Sequence, residues 1–288
     1  MPVQTLLVGL AHPDDELALA GSILAQRARG DRVVVVWLTR GERTEAFGPL
    51  PPEQVAARRE EMGERAAEIL GVEARFLDFG DTRLVATPEA AERVARVVAE
   101  IRPDALATWG EGWTRGLRHP DHQACGKIFR DAVTLARIAK AVAPEEPHRA
   151  PVPVFTIRDL HSVLPAVMVD VEAQLEGIDR LARFYHREIG FGDPEWNLQR
   201  LRMAGQPWGL EYAELFDAWE SQPGRVETLL PASPAGLPPH PERAGTTAGQ
   251  PPEQRNGGET ASRLPAGAGP PASLSTLSTR RGGTPDGK

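Results

Sequence analysis

The chain repeats one pattern: a short, wholly apolar run, then a segment whose apolar residues recur at helical spacing. Leu6-Leu7-Val8-Gly9-Leu10-Ala11 is followed by Leu17, Leu19, Ile23, Leu24 and Ala28, so residues 5–10 read as a strand and 15–29 as a helix. Val33-Val34-Val35-Val36-Trp37-Leu38 is a second strand, before a helix opened by Pro51 or Pro52 and closed by Gly71. Arg75–Leu77 is a short third strand. A helix over 88–101 carries Val94, Val97, Val98 and Ile101 on one face. Ala105–Trp109 is a fourth strand, and a helix is expected from His119 to about Val142. Val152–Ile157 and Ala166–Val169 read as later strands, 171–186 as a helix, and 195–219 as short helical pieces. Runs that are apolar at every position, rather than at alternate ones, belong to strands buried on both faces. Strand–helix–strand order of this kind closes into a mainly parallel sheet with helices on both sides. The expected fold class is α/β, Rossmann-like.

Composition sets the boundaries. Residues 221–288 are rich in Pro and Gly and hold no Phe, Trp or Tyr. Such a segment buries too little apolar surface to offset its ordering entropy. Residues 1–220 therefore read as one domain and 221–288 as a disordered C-terminal tail. The net charge of −7 argues against a general nucleic-acid binder. No apolar run approaches the length of about 18 residues expected of a membrane span, and Met1-Pro2-Val3-Gln4 lacks the basic start of a signal peptide. The one cysteine, Cys125, has no internal partner for a disulfide, which fits a cytoplasmic location. It reads as a small packed residue.

The first strand–helix turn decides what kind of α/β protein this is. A dinucleotide-binding turn needs closely spaced glycines, and its phosphates would be repelled by acids. Here the turn is His12-Pro13-Asp14-Asp15-Glu16. It suits a cation. A second cluster, His119-Pro120-Asp121-His122, follows the fourth strand. His12 and Asp15, with an imidazole from His119 or His122, make a two-histidine, one-carboxylate set that leaves positions open for water. A divalent cation in such a set lowers the pKa of bound water to about 7. Asp14 stands where it can take the proton. Taken singly, the adjacent acids read as helix caps and dipole partners, and each His as a surface residue. Two His-Pro-Asp clusters at the ends of two predicted strands favour the metal.

Ala11-His12-Pro13-Asp14-Asp15-Glu16 and His119-Pro120-Asp121-His122 closely resemble the two signatures of the LmbE-like (PIG-L) superfamily of zinc-dependent N-deacetylases. Leu38-Thr39-Arg40-Gly41-Glu42, Arg58 with Glu61, and Leu77-Asp78-Phe79-Gly80-Asp81 resemble further family segments, so the likeness runs over about residues 3–219. The resemblance implies that His12, Asp15 and His122 hold zinc, with Fe(II) as the alternative. It implies that Asp14 is the general base, that His119 polarises or protonates the tetrahedral intermediate, and that Asp121 orients and charges His119. A carboxylate paired with His119 is expected to raise its pKa. Arg58 or Arg59 would bind substrate, Asp81 would touch a sugar hydroxyl, and Glu42 would sit at the pocket rim. Trp113 is a candidate to stack on a sugar, Trp109 reads as core, and Arg158, Asp159 and His161 are minor candidates for pocket lining.

The activity so implied is hydrolysis of the acetamide of an N-acetylglucosamine-type conjugate, a small N-acetylated amino-sugar, with release of acetate. Gly209–Phe216 is similar to a segment of bacillithiol-type deacetylases, which points to N-acetylglucosaminyl-malate. The alternatives are a non-catalytic metal-binding module, an Fe(II) oxygenase, or a deacylase of another N-acylated sugar or antibiotic. Family members often assemble, so a homo-oligomer is an expectation of the resemblance; neither nucleic acid nor membrane is an expected partner.

Overall fold

The computed structural model describes residues 2–110, 119–159 and 162–232. Eight strands form one sheet: β1 (Thr5–Leu10), β2 (Arg32–Trp37), β3 (Glu73–Phe76), β4 (Ala105–Trp109), β5 (Val154–Ile157), β6 (Ala166–Asp170), β7 (Ala213–Ala218) and β8 (Gly224–Val226). Their order is β3-β2-β1-β4-β5-β7-β6-β8. The first five strands are parallel. β7 runs antiparallel to both β5 and β6, and β8 is parallel to β6. β4 is buried along its whole length, as are β1 and β2 after their first residue. That is why these stretches of sequence show no polar alternation.

Among the described residues seven α-helices pack on this sheet: α1 (Ala20–Ala28), α2 (Pro52–Leu70), α3 (Pro88–Ile101), α4 (Pro120–Leu135), α5 (Ala139–Val142), α6 (Leu175–Ile189) and α7 (Pro194–Gly205). They form two packed groups, α3–α5 and α1, α2, α6 and α7, which cover the sheet on its two faces. Among the described residues no helix is long and apolar enough to cross a membrane. The helix boundaries follow local chemistry. Pro52 opens α2, and Gly71 ends it in the left-handed conformation, φ 70°. Thr87 caps α3 by accepting the Ala90 N–H.

The strand order reverses direction between β1 and β4, which lie side by side. In open α/β sheets the loops diverge at such a point and leave a crevice at the carboxyl ends of the strands. β1 leads into His12 and α4 begins just after His119, so both histidine clusters are brought there. Two glycines allow the close approach. A Cβ on Gly9 of β1 would lie 2.6 Å from the ring of Phe129 on α4, and one on Gly126 of α4 would lie 2.1 Å from the Trp109 carbonyl oxygen. The helix carrying the second cluster thus rests directly on the backbone of β4.

Four sequence expectations are corrected. Residues 195–219 are not all helical, because 213–218 form β7 in the interior of the sheet. Its acidic residues masked it. Glu214 is spent on the amino end of α1, accepting the Gly21 and Ser22 N–H groups at 2.9 and 2.7 Å and the Ser22 hydroxyl at 2.6 Å, while Asp217 pairs with Arg158. The folded unit also runs past residue 220. β8 joins the sheet, Leu229 and Leu230 enter the core, and the Gln26 side chain bonds both the N–H and the carbonyl of Leu230. Averaging composition over the whole terminal stretch hid these few apolar positions; residues 233–288 lie outside the described part. The helix expected from His119 to Val142 is broken into α4 and α5. The one expected over 171–186 is a 3₁₀ turn, Glu172–Gln174, followed by α6.

Candidate active site

Three imidazoles meet at the carboxyl ends of β1 and β4. His12, His119 and His122 each offer a ring nitrogen within 4.8 Å of the others, and a second overlapping group joins His12, Asp81, His119 and Asp121. The rings of His12 and His122 lie 5.4 Å apart between centroids. Asp15 reaches both: its Oδ1 is 3.0 Å from His122 Nε2, and its Oδ2 is 3.8 Å from His12 Nδ1. The same Oδ2 accepts the backbone N–H groups of Ala11 and His12 and the indole N–H of Trp109, at 2.9, 3.0 and 3.0 Å. Three donors fix this carboxylate, which is buried. Its own burial opposes ionisation, but His122 and His12 outweigh it and hold its pKa well below the usual value.

The expected ligand set, His12, Asp15 and His122, is therefore gathered in one place, with His119 beside it. The donors suit a divalent cation. Burial disfavours a charged His12, but the carboxylates of Asp121, Asp15 and Asp81 prevail and push its pKa up to about 12. An imidazole so surrounded by anions marks a place short of positive charge. Asp81 is nearly fully buried, and its Oδ1 lies 3.3 Å from His12 Nε2 with no well-aligned hydrogen bond. A bound cation would relieve both conditions and release a proton as it did so.

Asp14 stands at the edge of the cluster. It takes the left-handed conformation, φ 98°, and makes no side-chain cap to the turn that follows, so the capping role is not the one it fills. Its Oδ2 pairs with the Arg59 guanidinium at 2.7 Å. Burial pushes its pKa up; Arg59 pulls the other way, and Asp15 adds to the rise. Such a carboxylate is a better proton acceptor than an exposed one.

Other expected residues fall differently. Asp121 is completely buried, and the hydrogen bonds of its carboxylate go to partners other than the His119 ring. Its two oxygens accept the N–H groups of Thr82 and Leu84 at 2.7 and 3.2 Å, and Oδ2 also approaches His12 Nε2 at 3.2 Å. It stands 4.0 Å from His119 Nδ1. The expectation that a carboxylate would raise the pKa of His119 is overturned: burial and the neighbouring His12 lower it. His119 Nδ1 instead faces the Asp121 N–H at 3.3 Å, which leaves its hydrogen on Nε2. Asp81 lies against His12, with Oδ2 accepting the Arg43 N–H at 2.8 Å, and Glu42 accepts the Asp81 N–H at 2.8 Å. Arg58 is exposed, with its guanidinium over Phe47. It is Arg59 that α2 delivers to the site. Arg158 is engaged by Asp217 and the Leu164 carbonyl. Cys125 is packed in the interior, as expected. Trp113, His161 and the loop before His119 lie outside the described residues.

Two contributors were readable only in part. Trp109 is core, as its strand suggests, but its ring also stacks on His122 at 4.0 Å and 6°. Arg59 shares the buried stripe of α2 with Val55, Met62, Ala66 and Leu70 and is its one charged member; that helical register was a usable signal.

Residues 7–133 match the family model described as PIG-L, GlcNAc-PI de-N-acetylase. The chain is 30% identical over 194 residues to the diacetylchitobiose deacetylase of Thermococcus kodakarensis, covering 65% of this chain and 70% of that one. It is 35% identical over 135 residues to a probable N-acetyl-alpha-D-glucosaminyl L-malate deacetylase 2 of Bacillus anthracis, covering 44% of this chain and 58% of that one. Among solved structures, a conserved protein of Thermus thermophilus superposes with a TM-score of 0.63 at 28% identity, over 75% of this chain and 94% of the other. The 4-carboxy-2-hydroxymuconate hydratase of Pseudomonas putida superposes with a TM-score of 0.64 at 23% identity, over 75% and 96%. The last match shows the fold alone, since one fold hosts several chemistries. The chain belongs to the PIG-L family, and its curated relatives named here are sugar-amide deacetylases.

Proposed function

We propose that this protein hydrolyses the acetamide of an N-acetylglucosamine-type conjugate to acetate and a free amine, with zinc held by His12, Asp15 and His122. The observation that carries the reading is the meeting of Asp15 with both His12 and His122 beside a half-buried Asp14 of raised pKa. A cation held there supplies a Lewis acid for the amide carbonyl and acidifies the attacking water. Asp14 takes the proton from that water and hands it to the departing amine. Arg59 holds the Asp14 carboxylate in place through this exchange. His119 donates its Nε2 hydrogen to the carbonyl oxygen as negative charge gathers there. Asp121 acts by holding the 82–84 backbone and the His12 ring in register. Glu42 and Asp81 brace each other on the side of the cluster where the sugar hydroxyls would lie.

The malate conjugate is the favoured substrate within this class, supported by the likeness to the Bacillus anthracis relative. Gly209–Phe216 lends less support than its sequence suggests, because it leads into β7 and Glu214 caps α1. The cytoplasm suits such a small-molecule substrate.

The test is acetate release from inositol, malate and chitobiose conjugates, by protein stripped of metal and then restored with zinc or Fe(II). Stripping should abolish turnover and zinc should restore it. Asp14→Asn should retain metal and lose about 10²–10⁴-fold in kcat. Full turnover by the stripped protein, or by Asp14→Asn, would overturn the mechanism. Restoration by Fe(II) alone would replace zinc as the metal.

A further inference from the structure

Behind Asp14 lies a group of buried polar contacts that the chemistry above does not use. A positive φ, here 98°, is uncommon for any residue but glycine and costs energy even for aspartate, which tolerates it better than most, so a contact that holds it is needed. Its N–H donates to Glu16 Oε2 at 3.0 Å. Glu16 has no exposed surface. The same oxygen accepts the indole N–H of Trp37 at 3.2 Å, and Oε1 accepts the hydroxyl of Tyr185. Trp37 ends β2 and Tyr185 lies on α6, both buried. Three donors from three parts of the fold thus end on one carboxylate. Burying an ionisable side chain so completely is unfavourable for stability compared with an apolar one of similar size. Its retention needs a purpose beyond packing.

We infer that Glu16, anchored by Trp37 and Tyr185, is a positioning residue that locks the Asp14 backbone in its left-handed setting and thereby aims the Asp14 carboxylate. The inference rests on the reading of Asp14 as proton acceptor. Arg59 grips the side chain of Asp14 from one side, at 2.7 Å, and Glu16 grips its backbone from the other. Without Glu16 the Asp14 N–H is left without its partner, and the residue relaxes toward negative φ. That rotation turns the Cα–Cβ bond and moves the carboxylate by more than about 1 Å, enough to cost about 10²-fold in rate.

The test compares Glu16→Leu, Glu16→Gln and Tyr185→Phe, reading kcat, KM and bound metal separately. Glu16→Leu removes the acceptor and keeps bulk; kcat should fall at least tenfold while KM and metal content hold. Glu16→Gln can still accept from Asp14 and Trp37 through its amide oxygen and donate to the Tyr185 oxygen, so it should recover most of the lost kcat. Tyr185→Phe deletes one hydroxyl, spares the fold if Glu16→Leu does not, and should lower kcat three- to tenfold. Because Glu16 acts through Asp14, adding Glu16→Leu or Tyr185→Phe to Asp14→Asn should cause no further loss. Wild-type kcat in both Glu16→Leu and Tyr185→Phe, losses that multiply with that of Asp14→Asn, or a fall in metal content that tracks kcat would each overturn the inference. If Asp14→Asn itself turns over at the wild-type rate, the reading of Asp14 falls, and this inference with it.

Discussion

Gly126→Ala sets two well-understood effects against each other. In a helix interior, alanine is favoured over glycine by about 1 kcal/mol, and Gly126 lies well inside α4. Propensity therefore predicts a more stable protein. The tertiary structure predicts the opposite. A Cβ at this position would sit 2.1 Å from the Trp109 carbonyl oxygen and 2.8 Å from its carbon. Real Cβ atoms essentially never come within 3.0 Å, so α4 must retreat from β4 by about 1 Å, because a backbone carbonyl at the end of a buried strand cannot swing aside as a side chain can. Overpacking of this kind costs about 1–3 kcal/mol, and a backbone obstacle places it at the upper end. The net effect is a loss of about 2 kcal/mol, which lowers Tm by about 4–8 °C in a domain of this size. The same retreat carries His119, Asp121 and His122 away from His12 and Asp15 and opens the 4.0 Å stack of Trp109 on His122. A displacement of about 1 Å should lower kcat/KM by about 10²-fold. Scanning calorimetry and acetate release measure the two effects. Lys127→Ala, on the exposed side of the same helix, should stay within about 0.5 kcal/mol of the parent. A Gly126→Ala protein with a higher Tm and unchanged kcat/KM would show that α4 does not rest on β4 as described.

Trp109→Phe keeps a ring to stack on His122 but removes the N–H that Asp15 accepts at 3.0 Å; with Asp15 as the proposed ligand, affinity for added Zn²⁺ should drop about 10–100-fold, and an unchanged affinity in a competition titration would remove Trp109 from the site. Asp31 has a depressed pKa: burial opposes ionisation, but the Gln4 N–H, Gln26 and Arg29 outweigh it. A depressed carboxyl contributes stability above its unfolded pKa of about 3.9 and loses it as pH falls through the folded value. Asp31→Asn should therefore be less stable than the parent by about 1–3 kcal/mol at pH 7, with the gap closing below about pH 4; a gap of equal size at pH 3 would contradict the assignment.

What was legible depended on the range of the interaction. β1, β2 and β4 announce themselves because both of their faces are buried, α2 because proline opens it and glycine closes it, and α3 because proline opens it and its apolar residues share one face. β7 hid because Glu214 finds its partners at Gly21 and Ser22, far away along the chain, and no local pattern reports that. The same holds within the site. His12, Asp15 and His122 could be named from two short motifs, whereas the choice between Arg58 and Arg59 turned on which face of α2 meets Asp14. The pKa of His119 went the other way from expectation because burial and the neighbouring His12 outweigh the pull of Asp121, and both depend on the tertiary fold.

The amino-acid sequence by itself determined the α/β architecture, the two histidine clusters and the family to which the chain belongs, because these rest on residue types at fixed spacing. Only the tertiary structure decided how the charged groups pair. It put Arg59 and Glu16 on opposite sides of Asp14 and turned Asp121 toward His12. It also drew the apolar start of the C-terminal stretch into the sheet. Hydrogen bonds and ion pairs depend on distance in space, and residues far apart in the chain meet only once the sheet has closed.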